Sequence, residues 1–402
     1  MLRSTVDDEG TTDPDLMLLD DLNHASVAGS MPAVLDRLRP AIGAIGIRML
    51  VVDLEETRLE DRRILRAGRG LPDGAVSVEG SPYGETYRSG RPHVVRDEGR
   101  TTIIVPVTAR QVREGVVEVL IDRPTISHRD VDHVRSAALL LGYVLNAADR
   151  WTDEFHATRR RKEMSLPAEM QWSQLPLAAF SSRDVSIAGA LEPAYDVGGD
   201  TFDYACDAGR LSAGVFDAMG HGLTAARLSA LGIATYRNVR RRGDDIGVQA
   251  ASIHDALRPV FDREGYMTAV MVEIDLRHPA RSWILRAGHP PPILQRAGDP
   301  TMVLDVGGGL PFGMPFDGSV PVVPLSLRAG DRLVLFSDGV TEARPEGGDA
   351  FGLGSLMQEL ESQRDASPRE MTRRVTGAVR AYRADDLADD ATILAIDILP
   401  RT

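Results

Sequence analysis

The sequence predicts an α+β protein in which a smaller N-terminal module precedes a larger, strand-rich half. Three observations predict it. The chain has 402 residues, enough at roughly 150 residues per domain for two or three domains. Its first half mixes apolar residues at helical spacing with β-branched runs. Its second half carries four short apolar runs that each begin or end on an aspartate.

Composition narrows the function before any motif is read. The net charge of −13 argues against a nucleic-acid binder, which would show a basic face. The lone cysteine, Cys206, excludes an internal disulfide framework and Cys-rich zinc modules. No stretch approaches ~18 uninterrupted apolar residues, so no membrane span is expected. The acidic start from Met1 to Asp21 lacks a basic-then-apolar leader, and a cytoplasmic protein without membrane or nucleic-acid partners is expected. Lys162 is the only lysine, in Arg159-Arg160-Arg161-Lys162-Glu163. A P-loop and a protein kinase each need a lysine on the nucleotide phosphates, so both are excluded.

Residues 1–22 are polar and acidic and are expected to be a disordered tail. Met31 to Ala44 spaces Val34, Leu35, Leu38 and Ile42 as a helix. Ile47 to Asp53 and Ile64 to Gly68 read as strands. Thr101–Val107 and Val116–Ile121 read as a hairpin turning at Arg113-Glu114-Gly115. Ser127, with Asp130 three residues on, opens a helix through Val134, Ala138, Leu141 and Val144. The order of these elements over 23–149, with Tyr83-Gly84-Glu85-Thr86-Tyr87-Arg88-Ser89-Gly90-Arg91-Pro92-His93 at its centre, resembles a GAF domain. That resemblance implies a sensor for a small ligand whose identity the residues do not name. His24, His93, His128 and His133 are scattered and read as solvated rather than as ligands. Residues 150–175 are charged and helix-favouring and read as a connector helix, broken or kinked at Pro167. It would carry a signal and pair with a second copy in a homodimer, or serve as a plain spacer. Its Arg159–Lys162 run reads as a solvated face.

The chemistry lies in residues 176–400. Val197-Gly198-Gly199 leads to Asp200, Leu211 to Phe216 ends at Asp217, Leu333 to Ser337 ends at Asp338, and Asp389-Asp390 precedes Ala391 to Ile396. Strand interiors bury apolar side chains, so polar groups that act together gather where strands end. Two carboxylates ~4 Å apart repel by about 4 kcal/mol at an effective dielectric near 20. A cluster of them must therefore take up protons or cations. Oxygen-only ligation suits Mg²⁺ or Mn²⁺ rather than zinc.

The landmarks occur in a fixed order: Glu169-Met170-Gln171-Trp172, Glu192 to Asp200, Asp217-Ala218-Met219-Gly220-His221-Gly222, Ala287-Gly288-His289-Pro290-Pro291, Ser337-Asp338-Gly339, and Asp389-Asp390-Ala391-Thr392. Together they resemble the PPM family of metal-dependent protein serine/threonine phosphatases, in its SpoIIE-like branch. The resemblance implies a four-layer α-β-β-α sandwich and hydrolysis of phosphoserine or phosphothreonine by a water activated between two Mn²⁺ or Mg²⁺ ions. Asp200, Asp217, Asp338 and Asp389 match the metal-ligand aspartates, Asp217 bridging. Ala218 matches a position that binds through its carbonyl. Asp390 is expected behind the ligands, and Asp196 and Asp203 in turns or at the surface. His221 is the candidate to protonate the departing oxygen, although a histidine between two glycines could simply pin a turn. His289 stands where more distant members have an aspartate of a third metal site, so two sites are expected. In this branch the substrate is a phosphorylated anti-anti-sigma type regulator, implied here as partner by resemblance alone. The alternatives are a silent phosphatase-like scaffold that binds regulatory partners and a metal-dependent phosphodiesterase or small-molecule phosphatase on the same carboxylates.

Overall fold

The structure is a computed structural model that describes residues 31–401 except 98, 110–111, 149–152, 193–194, 196–197, 261–264, 317–318 and 384–389. The expected tail, Asp196 and Asp389 therefore lie outside the described residues. The chain divides into two compact units, Met1–Arg161 and Lys162–Thr402.

The first unit runs α1 (Met31–Ala41), β1 (Gly46–Val52), β2 (Arg58–Gly68), β3 (Val76–Ser77), α2 (Pro82–Ser89), β4 (His93–Asp97), β5 (Arg100–Ala109), β6 (Val112–Ile121), α3 (His128–Ala148) and α4 (Glu154–Arg159). Its six strands form one sheet in the order β3-β2-β1-β6-β5-β4. Strand side chains alternate between faces, and β1 divides accordingly. Met49 and Val51 join Leu35 and Leu38 of α1 and Leu141 and Leu145 of α3 in one core. Leu50 and Val52 join Tyr87 of α2 in another, on the opposite face. At the head of α3, Ser127 and Asp130 cap each other, the Asp130 amide donating to Ser127 Oγ and the Ser127 amide to Asp130 Oδ2. The hairpin is longer than expected: Arg113-Glu114-Gly115 lie inside β6, whose first residue Val112 pairs with Ala109 of β5. A register shift between Val107 and Thr108 absorbs the offset.

The described residues of 150–175 form two helices, separated at 160–165 rather than at Pro167. α4 ends at Arg159, and α5 (Leu166–Gln174) begins with Pro167 in its first turn, where a missing N–H costs nothing. Ser165 caps α5 by accepting from the Ala168 amide.

After α5 the second unit runs β7 (Ala179–Ser181), β8 (Val185–Glu192), β9 (Asp200–Asp207), β10 (Arg210–Ala218), α6 (Gly222–Arg241), α7 (Ile246–Leu257), β11 (Met267–Asp275), β12 (Ser282–Ala287), β13 (Ile293–Gln295), β14 (Met302–Val303), β15 (Val322–Leu325), β16 (Arg332–Phe336), α8 (Asp338–Glu342), α9 (Gly352–Ser362), α10 (Pro368–Arg383) and β17 (Ala391–Ile398). One sheet has the order β15-β12-β11-β10-β9 and the other β14-β13-β16-β17-β8-β7. Leu211, Ala213 and Val215 of β10, Val270 and Val272 of β11, Leu333 and Leu335 of β16, and Leu394 and Ile396 of β17 share a core. The alternate residues face outward: Phe216 and Met271 against α6 and α7, Val334 and Ile393 against α9 and α10. Both faces of these strands are thus apolar, which is why they read as continuous runs. No helix among the described residues is long and apolar enough to cross a membrane.

Leu394 is fully buried between the sheets, whereas Leu231 on α6 is 37% exposed. Leu394→Ala should cost about 2–5 kcal/mol in urea unfolding, and Leu231→Ala within about 0.5 kcal/mol of zero.

Candidate active site

The period of two that builds the core between the sheets also builds the site at its edge. On β10 the odd positions 211, 213 and 215 face that core, which puts Asp217 on the same face at the strand's end. On β9 Phe202 faces it, which puts Asp200 there, and Asp217 and Asp200 are cross-strand partners. Thr268 of β11 is the partner of Asp217 on the other side. From the opposite sheet, Ser337 and Thr392 continue the inward rows of β16 and β17. The apolar layer therefore closes on a polar row: Asp200, Asp217 and Thr268 from one sheet, Ser337 and Thr392 from the other.

Asp200 is the electrostatic centre of that row. Burial holds its carboxyl well above the ordinary aspartate range, and the charges of Asp217 and Asp390 push it further. Hydroxyls oppose the shift, Ser337 Oγ donating to Asp200 Oδ2 at 2.5 Å. Ser337 Oγ in turn accepts from the Thr392 amide at 2.9 Å. Asp390 lies behind: its Oδ2 accepts from the amides of Gly199 and Asp200 and from Gln171 Nε2. The same Gln171 amide donates to the Asp200 carbonyl at 2.7 Å, so α5 is bonded to the centre of the site. The backbone packs closely here. A Cβ on Gly339 would stand 1.7 Å from the Asp390 carbonyl oxygen, and one on Gly199 3.0 Å from that of Ala218.

Asp338 is the first residue of α8, directly after Ser337. Asp217 and Asp338 are half-buried, so the cluster opens to solvent on their side. His221 stands exposed at the head of α6 and makes no capping hydrogen bond. His289 is buried, with Nδ1 2.7 Å from Thr268 Oγ1. Asp203 departs from expectation. It is 1% exposed, not a surface residue, and pairs with Arg237 and Arg240 of α6 at 2.9 Å each. Cys206 is a half-buried residue of β9 whose thiol burial pushes up. Sequence reasoning missed Gln171, Thr268, Ser337 and Thr392 as functional side chains. Three of the four lie inside the motifs above, but only the folded register brings them to the site.

The donor chemistry fits hard divalent cations. It consists of carboxylates with a main-chain carbonyl nearby, and its most buried acid has no basic partner among the described residues. By contrast Asp53, Glu118, Glu192, Asp203 and Asp331 each face an arginine within 3.3 Å. Among the described residues no three His, Cys, Asp or Glu side chains converge closely enough to hold an ion alone; Asp389 lies outside that set.

A family model described as Stage II sporulation protein E (SpoIIE) matches residues 207–399. Phosphoserine phosphatase RsbU of Bacillus subtilis (strain 168) is 21% identical over 258 residues, 64% of this chain and 76% of that protein. Stage II sporulation protein E of the same organism is 27% identical over 203 residues, 50% of this chain but 24% of that one. Among solved structures, the SiaA-PP2C domain of Pseudomonas aeruginosa is similar at 24% identity with a TM-score of 0.48, covering 57% of this chain and 94% of that one.

The folded protein holds the Asp200 proton to higher pH than the unfolded chain, whose aspartates titrate near pH ~4. Raising pH from there through the folded pKa therefore removes stability from the metal-free protein. In EDTA, Asp200→Asn should flatten that pH dependence and melt above wild type at pH 8, as followed by circular dichroism. An unchanged slope would contradict the burial of the charge.

Proposed function

We propose that the second unit is a protein serine/threonine phosphatase of the SpoIIE-like PPM type, hydrolysing phosphoserine or phosphothreonine with Mn²⁺ or Mg²⁺. The observation that carries this reading is the pair Asp200 and Asp217, partners across two strands, with the buried member raised by its neighbours and unmatched by arginine. Asp200, Asp217, Asp338, Asp389 and the Ala218 carbonyl would hold two ions. Bound there, such ions supply a water of lowered pKa and positive charge for the phosphate oxygens.

The chain's own residues prepare that site. Ser337 fixes one Asp200 oxygen, and Gln171 with the Gly199 and Asp200 amides fixes Asp390. Because these donors are held by strand register and, for Gln171, by α5, the acids are preorganised for developing charge. His221, exposed beside the strand end that carries Asp217, would protonate the departing serine oxygen. Asp217 and Asp338 keep an open side, as a site acting on a protein surface requires.

The similarity to a phosphoserine phosphatase, RsbU, favours phosphoserine in the substrate, and the SpoIIE-like motifs imply a phosphorylated regulator of anti-anti-sigma type. The first unit, with its GAF-like order of elements, would gate the activity by binding a small ligand. A gated enzyme needs two arrangements of unequal activity, one of them preferred by the ligand.

The full chain should release phosphate from a phosphoserine peptide with Mn²⁺ and stop in EDTA. Asp217→Asn and Asp338→Ala should each lower kcat/KM by more than about 100-fold, since even residues behind metal ligands account for 10–100-fold. Turnover that survives EDTA or both substitutions would refute the reading.

A further inference from the structure

The buried His289 imidazole has no part in the mechanism above, yet its surroundings give it one. It follows β12 through Gly288, whose φ of +66° turns the chain so that the next side chain enters the interior. There Nδ1 meets Thr268 Oγ1 at 2.7 Å, and the same oxygen lies 3.3 Å from Asp217 Oδ2. Burial pushes the ring's pKa down to about 3, the Arg286 charge assisting. At neutral pH the ring is therefore uncharged, with one N–H and one bare nitrogen.

One hydroxyl proton cannot serve two acceptors. If Thr268 gave its proton to Nδ1, its oxygen lone pairs would face the Asp217 carboxylate with nothing between them. If Nδ1 carries the proton and gives it to Oγ1, the hydroxyl is free to donate to Asp217, and both contacts are made. The cost is a bare Nε2, which faces the Phe336 carbonyl without a well-aligned hydrogen bond. The Phe336 carbonyl faces the ring and favours the opposite tautomer. A ring nitrogen can donate or accept, whereas a carboxylate oxygen accepts, so the arrangement that makes both Thr268 contacts is the one in which Nδ1 carries the proton.

We propose that His289 is a positioning residue: its Nδ1–H donates to Thr268 Oγ1 and thereby commits the Thr268 hydroxyl to Asp217 Oδ2. One lone pair of Asp217 is then fixed by the protein, which orients the carboxylate that would hold a cation. The consequence for metal binding rests on Asp217 being a ligand, as proposed above; the proton arrangement does not.

Two measurements test it on the full chain. Long-range ¹H–¹⁵N spectra of the metal-free protein, with the His289 signals assigned by their loss in His289→Asn, should show Nδ1 protonated and Nε2 bare. The reverse pattern overturns the proposal. Calorimetric titration with Mn²⁺ should show about 10-fold weaker binding for Thr268→Val, which keeps the shape and loses the hydroxyl. Thr268→Ser and His289→Asn, which keep a donor in place, should stay within about 3-fold of wild type. The double variant Thr268→Val/His289→Leu should bind no more weakly than Thr268→Val, because the two residues act in series. Wild-type affinity in a Thr268→Val protein that melts normally overturns the proposal. Absence of Mn²⁺ binding to the wild type would sink the metal reading instead, while the tautomer spectra still decide the proton arrangement.

Discussion

The Asp200 carboxylate lies at the edge of an apolar layer between two sheets, 2% exposed, and its charge governs what surrounds it. An isolated buried carboxylate is costly enough that proteins normally pair it or leave it protonated. Elsewhere in this chain the solution is arginine: Arg48 for Asp61 and Glu118, Arg161 for Asp53, Arg237 and Arg240 for Asp203, Arg296 for Asp331, Arg380 for Glu192. At Asp200 the protein supplies a hydroxyl from Ser337 and places two further acids close by. An arrangement that raises a buried acid's energy in the free protein creates affinity for a cation that relieves it. Binding there is coupled to proton release.

The sheet register turns this local tension into a site. Asp200 and Asp217 are cross-strand partners, Asp217 and Thr268 likewise. All three share the face that holds Phe202, Val215 and Val270 in the core. A one-residue slip of β10 would send Asp217 to the helix side and Phe216 into the core. The large apolar side chains on both faces of β10 make such a slip expensive, so the same packing that stabilises the sandwich fixes the carboxylates. Asp203, on the other face of β9, meets α6 instead, and its two arginines tie that helix to the sheet.

Much of this was legible in the sequence. The Asp200, Asp217 and Asp338 positions stand out because each breaks an apolar run at its end, a local signal that needs no knowledge of pairing. The N-terminal helix, its sheet strands and the Ser127–Asp130 cap are local for the same reason. What could not be read depends on register between distant segments. Gln171 reaches Asp390 across 219 positions, and Ser337 meets Asp200 across 137; each alone is an ordinary polar residue. Asp203 looked like a turn residue because the arginines that neutralise it lie 34 and 37 positions away on a helix. The hairpin turn was misplaced because Arg113-Glu114-Gly115 has turn composition, but at Gly115 a Cβ would meet the Leu50 carbonyl oxygen at 1.9 Å. The glycine marks close strand packing, not the turn.

The most direct test of the central claim is Mn²⁺ binding to the metal-free full chain by calorimetry at pH 7, in buffers of different ionisation enthalpy. The account predicts binding with net proton release, and loss of that release in Asp200→Asn. Binding with no buffer dependence, or proton release undiminished in Asp200→Asn, would contradict the claim that a cation is drawn to this edge by the buried charge of Asp200.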